Sequence, residues 1–290
     1  MNTKTNIKSS TIYKSTNHNY PIIFSSPHSG RFYPKYFIND INVSLFQLRC
    51  LEDMYVDKIV YPISKKLNVS FIAANFSRAF LDVNRNENEI DPSMFEDKFE
   101  NENILTKKVI SGFGLIPKKT LKGKNIYKNK IKNNELVNRL NDIYYPWHKD
   151  LKKLIDQVYK RYKFCLLLDF HSMPSNIEYG VSSNRSEICI SNINEKSCSN
   201  DITENLANEF KSLGYNVTIN YPFTGGYIID RYSHKKGLMA LQIEIRRDIY
   251  MSEKKLILKS NFNQINSDFC KAISNFSDLI KAEFYDVAAE

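Results

Sequence analysis

Near the middle of the chain lies the sequence Phe164-Cys-Leu-Leu-Leu-Asp-Phe-His-Ser-Met-Pro174, which begins with five apolar residues and ends in polar ones. Because residues 164–168 are apolar at every position, both faces of the strand they predict must be covered, as in the centre of a sheet flanked by helices. Asp169 and His171 follow at the carboxyl end of this strand. Functional side chains of α/β sheets gather at that edge, so other strands that end in polar residues are of interest.

The segments on either side of this strand alternate between strand and helix patterns. Short apolar runs predict strands at 21–26, 70–74, 164–168, 217–219 and 238–245, and periodic apolar residues predict helices at 45–67, 134–162, 201–213 and 253–283. Pro146 is expected to kink the second helix, and Asp201 with Glu204 to form a capping box that starts the third. The alternation predicts one α/β domain over residues 1–290, with 1–19 as a polar, loosely ordered N-terminal segment.

Composition excludes several classes of protein. The 290 residues are 42% hydrophobic and 25% charged with nine glycines and nine prolines, which excludes disordered and collagen-like chains. The net charge of +9 admits nucleic acid, an anionic membrane surface or a small anionic substrate as partner. We expect the lysines between 118 and 132 to lie in a solvated loop, since motifs for nucleic-acid binding are absent. The five cysteines form no C-x-x-C pair and predict reduced thiols in a cytoplasmic protein, and no signal peptide or membrane span is evident.

Three predicted strand ends carry His28, His171 and Glu244. Two histidines from different strands plus one carboxylate are the minimum set of protein ligands for an open catalytic zinc site, although a single histidine is more often structural. Glu52 and Asp53, on the helix after His28, are both candidates for the carboxylate, and an acidic pair on a helix can also be a solvated face. Asp169 stands two residues before His171, a spacing that lets its carboxylate orient a metal-binding imidazole.

Two further groups suggest substrate chemistry. Arg78, Asn84 and Arg85 lie close in sequence, and the planar fork of arginine suits a carboxylate, so they either hold an anionic substrate or form a surface salt-bridge cluster. Glu244 has apolar neighbours, and desolvation raises a carboxyl pKa toward the range of a general base. The alternative for Glu244 is an ion pair with Arg246 or Arg247.

These residues belong to an ordered set of short motifs. The set comprises Pro27-His-Ser-Gly30, Glu52-Asp53, Ser77-Arg78, Asp82-Val-Asn-Arg85, Tyr145-Pro-Trp-His148, Asp169-Phe-His-Ser-Met-Pro174, Gly225-Gly-Tyr227, Gln242-Ile-Glu-Ile-Arg246 and Tyr250-Met251. From about residue 20 to residue 255 the ordered set resembles the N-formylglutamate amidohydrolases, although no single motif is specific. The resemblance implies a three-layer αβα sandwich with a central mixed sheet, as in the zinc carboxypeptidases and other phosphorylase/hydrolase-like folds.

The resemblance also implies a metal site. His28 and His171 would bind Zn²⁺ or another divalent transition metal, with a carboxylate completing the set. The residue three after His28 is Arg31 and not the glutamate of the carboxypeptidase pattern, so the carboxylate comes from elsewhere. Asp53 aligns best with the family's acidic position, and Glu52 is the alternative.

By the same resemblance Glu244 takes the place of the general base, Arg78 that of the oxyanion-stabilising arginine, and Asn84-Arg85 that of the carboxylate clamp. Tyr227 is expected to assist at the scissile group, and Arg31, Arg246 or Arg247 to meet a second substrate carboxylate; His148 supports the site or the fold.

The predicted reaction is hydrolysis of N-formyl-L-glutamate to formate and L-glutamate by a metal-activated water, in histidine degradation. A deacylase of another N-acyl amino acid or small amide, and an inactive binding protein that keeps the pocket, are the alternatives.

Overall fold

A mixed β-sheet flanked by helices forms the centre of the fold. The computed structural model describes residues 7–97, 103–176 and 186–285. Within these residues the sheet has seven strands in the order β1-β3-β2-β4-β7-β5-β6. Its strands are β1 Ser10–Tyr13, β2 Ile22–Ser26, β3 Phe71–Ala74, β4 Cys165–Met173, β5 Ile188–Ser191, β6 Val217–Ile219 and β7 Leu238–Arg246. β2, β4 and β7 run parallel and β5 pairs antiparallel with β7, so the predicted mixed sheet is confirmed.

The α-helices lie between these strands in the chain, except the last, which follows them. They are α1 Lys35–Asn39, α2 Leu45–Arg49, α3 Val56–Leu67, α4 Lys107–Ile110, α5 Asn133–Arg139, α6 Tyr145–Tyr162, α7 Asn200–Ser212, α8 Tyr227–Arg231 and α9 Phe262–Tyr285. A small second sheet pairs β8 Met251–Ser252 with β9 Ile257–Leu258. In the part of the chain that the structure describes, no helix combines the length and the apolar character needed to cross a membrane.

The described residues group into two compact units. Unit 1 comprises the described residues within 7–11, 27–52 and 73–150, and unit 2 comprises those within 12–26, 53–72 and 151–285. The assignment of one domain to residues 1–290 stays a prediction. Within the segment expected to be loosely ordered, Ser10–Tyr13 form β1, and residues 1–6 lie outside the described residues.

Unit 2 owes its core to β4, which is buried at all nine positions, as its apolar sequence predicts. Helix α9 packs against α3 and α7 through apolar residues spaced three and four apart. Phe269 on α9 meets Phe210 on α7 with 4.8 Å between ring centroids. Burial of each such apolar side chain contributes about 1.5–3 kcal/mol to the free energy of unfolding.

Unit 1 contains a buried arginine, Arg139. The guanidinium of Arg139 lies 3.8 Å from the ring centroid of Phe80 and donates to the Phe80 carbonyl at 2.7 Å. Arg139 Nη1 also donates a hydrogen bond to the Tyr127 hydroxyl oxygen at 2.9 Å. Since the charge is buried, these contacts replace the water that Arg139 loses on folding.

Several element boundaries differ from the sequence prediction. The helix expected at 45–67 is two helices, because residues 50–55 turn and Tyr55 adopts a left-handed conformation at φ 66°. The helix expected at 253–283 begins only at Phe262, after β9 and a left-handed Leu256. In both predicted helices, 45–67 and 253–283, the apolar residues have the spacing of a helix, but tertiary contacts hold part of each segment in turns.

Three further differences concern helix and strand ends. A π-helical segment, Leu140–Tyr144, ends two residues before Pro146, so the wider turn accommodates the proline. The predicted capping box was wrong, because α7 begins at Asn200 with Ser199 as its N-terminal flanking residue. Strand β4 continues to Met173, which places Asp169 and His171 within the strand and not after it.

Gly30 occupies a position where the backbone permits no side chain. A Cβ there would lie 2.1 Å from the carbonyl oxygen of Phe76, next to the parallel bridge between Phe32 and Phe76. We predict that Gly30→Ala destabilises the protein by about 3 kcal/mol or more, because the backbone must move. Gly123→Ala is the control: φ is +75° there but no atom lies within 4 Å of the new Cβ, so the cost is roughly 1–2 kcal/mol. Equal free energies of unfolding in urea would contradict the prediction.

Candidate metal centre

The register between β4 and β7 sets the first part of the site. His171 on β4 pairs with Glu244 on β7, and Asp169 pairs with Gln242 in the same parallel ladder. Paired residues point to the same face and neighbouring strands are about 4.8 Å apart, so the four side chains share one face of the sheet. The Gln242 amide donates to Glu244 Oε1 at 2.8 Å and orients that carboxylate.

Both ring nitrogens of His171 face carboxylates. Nε2 lies 2.8 Å from Asp169 Oδ2, and Nδ1 lies 3.0 Å from Asp53 Oδ2. The second oxygen of Asp169 accepts a hydrogen bond from the Ser25 hydroxyl at 2.5 Å. With the proton on Nε2, the ring donates to Asp169 and keeps its Nδ1 lone pair for a metal, as in carboxylate–histidine–metal arrangements.

Asp53 lies in the turn between α2 and α3 and is 1% exposed. Its Oδ1 accepts hydrogen bonds from Arg247 Nη2 at 3.1 Å and from the Ser172 hydroxyl at 3.2 Å. The two oxygens of this carboxylate therefore have separate surroundings, with Oδ2 on the side of His171.

Electrostatics in unit 2 favour a positive charge at His171. Burial alone would lower the pKa of His171, but the carboxylates of Asp169, Asp53 and Glu244 together raise it. Among the described charged groups in these contacts, three carboxylates and the guanidinium of Arg247 leave two negative charges when the imidazole is neutral. A divalent cation would balance that charge.

In unit 1 a second histidine is bound to a carboxylate. His28 Nε2 lies 2.7 Å from Asp82 Oδ1, which also accepts from the Asn84 backbone amide at 2.9 Å. The other oxygen, Asp82 Oδ2, accepts from Arg78 Nη2 at 2.7 Å and lies 3.7 Å from Arg85 Nη2. Burial raises the pKa of a carboxyl group, but Arg78, His28 and Arg85 outweigh it and hold the pKa of Asp82 well below its ordinary value.

The predicted substrate arginines differ in their contacts. Arg85 donates from Nε to the Phe113 carbonyl and from Nη1 to the Asn84 carbonyl, both at 2.7 Å, and its own carbonyl accepts from the Tyr144 hydroxyl at 2.8 Å. Arg78 has 20% of its side chain exposed, against 7% for Arg85. Arg85 is thus fixed by the backbone, and Arg78 retains more surface for a ligand.

Three of the buried groups have the chemistry of a metal site. His28, Asp53 and His171 each offer one ligand atom, and these atoms all lie within 4.8 Å of one another. Zinc bonds to nitrogen and oxygen are about 2.0–2.2 Å long, so the donors around a tetrahedral ion lie about 3.3–3.6 Å from each other. The three groups could hold a metal ion after side-chain movements of about 1 Å or less. The carboxylates of Asp82 and Asp169 orient the two imidazoles, as metal-binding histidines require.

Glu52 and Tyr227, two other predicted site residues, have contacts of their own. Glu52 accepts from the Tyr33 hydroxyl at 2.5 Å and lies 3.8 Å from Arg49 Nε. Tyr227 opens α8, and its hydroxyl accepts from Arg231 Nη1. The carboxylate grouped with the two histidines is that of Asp53, and the roles of Glu52 and Tyr227 stay predictions.

Sequence reasoning missed several supporting residues. It did not pair Asp82 with His28, although the motif that contains Asp82 was recognised, and it placed Arg247 at the substrate and not at Asp53. Ser172, which donates to Asp53, was also missed. The one signal for Ser172 in the sequence is that it directly follows His171, a candidate metal ligand.

The depressed pKa of Asp82 predicts a pH-dependent stability. Because the folded pKa lies below the unfolded value of about 4, the contribution is present above about pH 4 and is lost as the pH falls through the folded pKa. In the metal-free protein, Asp82→Asn should cost about 3–5 kcal/mol at neutral pH, and this difference should shrink in acid. Asp91→Asn, which breaks the partly exposed pair with Lys118, should cost about 1 kcal/mol or less. Urea unfolding across the pH range measures both; an Asp82→Asn effect that is independent of pH would contradict the assignment.

Comparison with known proteins adds the family. A model of the family described as N-formylglutamate amidohydrolase matches residues 20–251. An N-formylglutamate deformylase of Pseudomonas putida is 25% identical over 237 residues, which cover 80% of this chain and 82% of that protein. One of Pseudomonas aeruginosa is 24% identical over 242 residues, covering 81% and 83%.

A solved structure shows the same fold. The crystal structure of N-formylglutamate amidohydrolase from Ralstonia eutropha JMP134 superposes with a TM-score of 0.89 at 26% identity, covering 96% of this chain and 100% of that one. Since the family model extends over well more than half of the chain, and the fold agrees along nearly all of it, the chain belongs to the N-formylglutamate amidohydrolase family.

Proposed function

We propose that the protein hydrolyses the formamide C–N bond of N-formyl-L-glutamate and releases formate and L-glutamate. The observation that carries this proposal is the family match over residues 20–251, because that range contains every residue to which a role is assigned. The relatives named as deformylases support the substrate. The buried group of His28, Asp53 and His171 supports a metal-dependent reaction.

In this proposal His28, Asp53 and His171 hold Zn²⁺ or another divalent transition metal. When bound, zinc supplies a Lewis acid that acidifies water and polarises a carbonyl oxygen. The chain's own task at this point is to fix the two imidazoles, which Asp82 and Asp169 do through contacts of 2.7 and 2.8 Å. Since both carboxylates are buried, water does not compete for these hydrogen bonds.

Glu244 is the proposed general base. It accepts a proton from the attacking water at one carboxylate oxygen and later delivers that proton to the leaving nitrogen of glutamate. Its position opposite His171 in the β-ladder supports this role, and its 7% exposure keeps bulk water away. The Gln242 amide at Oε1 holds the carboxylate in place during both transfers.

The arginines of unit 1 are proposed to handle charge on the substrate. Arg78 donates to the oxygen that becomes negative during attack, and Asp82 holds its guanidinium by accepting from Nε and Nη2. Asn84 and Arg85 bind a substrate carboxylate, and Tyr227 assists at the scissile group. The surplus of the two guanidiniums over the single carboxylate of Asp82 supports an anionic substrate.

A reducing compartment suits the thiols of the chain. In the part of the chain that the structure describes, the cysteines form no disulfide, which supports a cytoplasmic location. Histidine degradation, which produces an N-formylated glutamate in the pathway that the family resemblance implies, stays a prediction.

Glu244→Gln tests the proposed base. Release of formate from N-formyl-L-glutamate should fall about 10²–10⁴-fold in kcat, because the amide cannot take a proton, while bound zinc stays stoichiometric. Chelation should abolish turnover by the wild-type protein, and added zinc should restore it. Glu204→Gln, an exposed substitution on α7 with the same change of charge, is the control and should retain full activity.

The substrate assignment is tested beside this variant. N-formylaspartate, N-acetylglutamate and N-formylmethionine, compared with N-formylglutamate at equal concentrations, separate the formyl group from the glutamyl side chain as determinants. Preference for one of the other compounds would favour a deacylase of another N-acyl amino acid. Bound zinc without turnover of any of them would favour an inactive binding protein.

A further inference from the structure

We infer that Arg247 and Ser172 are positioning residues that restrict Asp53 to a single metal-binding oxygen, Oδ2. The inference rests on the proposed metal site and gives Arg247 a role other than binding the substrate. It concerns only contacts among residues of unit 2.

Arg247 and Ser172 both donate hydrogen bonds to the same oxygen of Asp53, Oδ1. Arg247 Nε donates to the Ser172 hydroxyl oxygen at 2.9 Å, and that hydroxyl donates to Asp53 Oδ1 at 3.2 Å. Arg247 Nη2 donates directly to the same Oδ1 at 3.1 Å. The oxygen Oδ1 therefore accepts two hydrogen bonds, one of them charge-assisted, and both donors are themselves linked.

The other oxygen of Asp53, Oδ2, faces His171, a proposed metal ligand. Oδ2 lies 3.0 Å from His171 Nδ1, the nitrogen left when Nε2 is bound to Asp169. An oxygen engaged by a guanidinium and a hydroxyl is a weak metal ligand, so a metal ion would bind Oδ2 alone. Single-oxygen binding leaves a coordination position for water or substrate, which a catalytic site needs.

The arrangement is fixed from the backbone as well. Arg247 directly follows β7, is 7% exposed, and its Nη2 also lies 3.5 Å from the Ser172 carbonyl. The Tyr250 hydroxyl donates to the carbonyl of Met54, the residue after Asp53, at 2.9 Å. The segment after β7 thus holds both the side chain of Asp53 and the turn that carries it.

Charge supports the same conclusion. Asp53 is nearly fully buried, and a buried carboxylate without compensation costs several kcal/mol. The guanidinium of Arg247 compensates Asp53 in a fixed direction that lysine cannot reproduce, because the ammonium lacks the planar fork.

The test uses Arg247→Gln, Arg247→Lys and Ser172→Ala, with Arg161→Gln as the control. Arg161 is on the exposed side of α6 and donates to the carbonyl of Asn17. Zinc affinity is measured by competition with a chelator, and the geometry of the site by the visible absorption of the cobalt(II) protein. Cobalt(II) absorbs more strongly in four-coordinate than in five-coordinate sites, so a change from one bound oxygen to two weakens the spectrum.

We expect Arg247→Gln to lower zinc affinity about 10–100-fold, the range found for residues that orient metal ligands, and to weaken the cobalt spectrum. Arg247→Lys should fall between wild type and Arg247→Gln, and Ser172→Ala should shift both readouts in the same direction by less. Arg161→Gln should leave both unchanged. If Arg247→Gln does not fold, Ser172→Ala, which removes only a hydroxyl, decides the question.

Two results would overturn the inference, and they distinguish its own failure from failure of the proposed metal site. If zinc affinity and the cobalt spectrum are unchanged while KM for N-formylglutamate rises, Arg247 binds substrate and does not position Asp53. If the wild-type protein binds no zinc or cobalt, the metal site itself is wrong and the inference falls with it. Zinc affinity and the cobalt spectrum do not depend on turnover. If the protein does not hydrolyse N-formylglutamate, these two measurements still test the positioning role.

Discussion

The parallel pairing of β4 with β7 is the constraint on which the candidate centre depends. It sets His171 opposite Glu244 and Asp169 opposite Gln242 on one face of the sheet. A slip of one residue would turn every one of these side chains to the other face. The apolar residues of β4, buried at each position, oppose such a slip because it would exchange the polar row for an apolar one. The same strand register is therefore required for packing of the core and for alignment of the site.

This alignment brings several buried charged groups close together. Three carboxylates act on His171 in unit 2, and Asp82 sits under two arginines and a histidine in unit 1. Each carboxylate is stabilised by directional donors: Ser25 for Asp169, Arg247 for Asp53, and Gln242 for Glu244. Such a network is stable only when its partners are complete, because breaking one pair leaves an uncompensated charge. A divalent cation at the proposed site would balance the remaining negative charge in unit 2.

The sequence was most informative where local pattern decides structure. The apolar run before Asp169 predicted the central strand, and polar residues at strand ends predicted His28, His171 and Glu244 as candidates. What local pattern missed was long-range contact. Asp53 lies 118 residues before His171 and 194 before Arg247, and no periodicity relates positions so far apart. The same limit explains why residues 50–55 were assigned to a helix: their apolar spacing suits one, but buried contacts of Glu52 and Asp53 hold them in a turn.

The central claim is that His28, Asp53 and His171 together hold one metal ion. The most direct measurement is anomalous X-ray scattering at the zinc absorption edge from crystals of the protein grown with zinc. The account predicts one strong peak at about 2.0–2.2 Å from a nitrogen of each histidine and from a single oxygen of Asp53. Zinc bound by Glu52 in place of Asp53, or no zinc beside the two histidines, would contradict it.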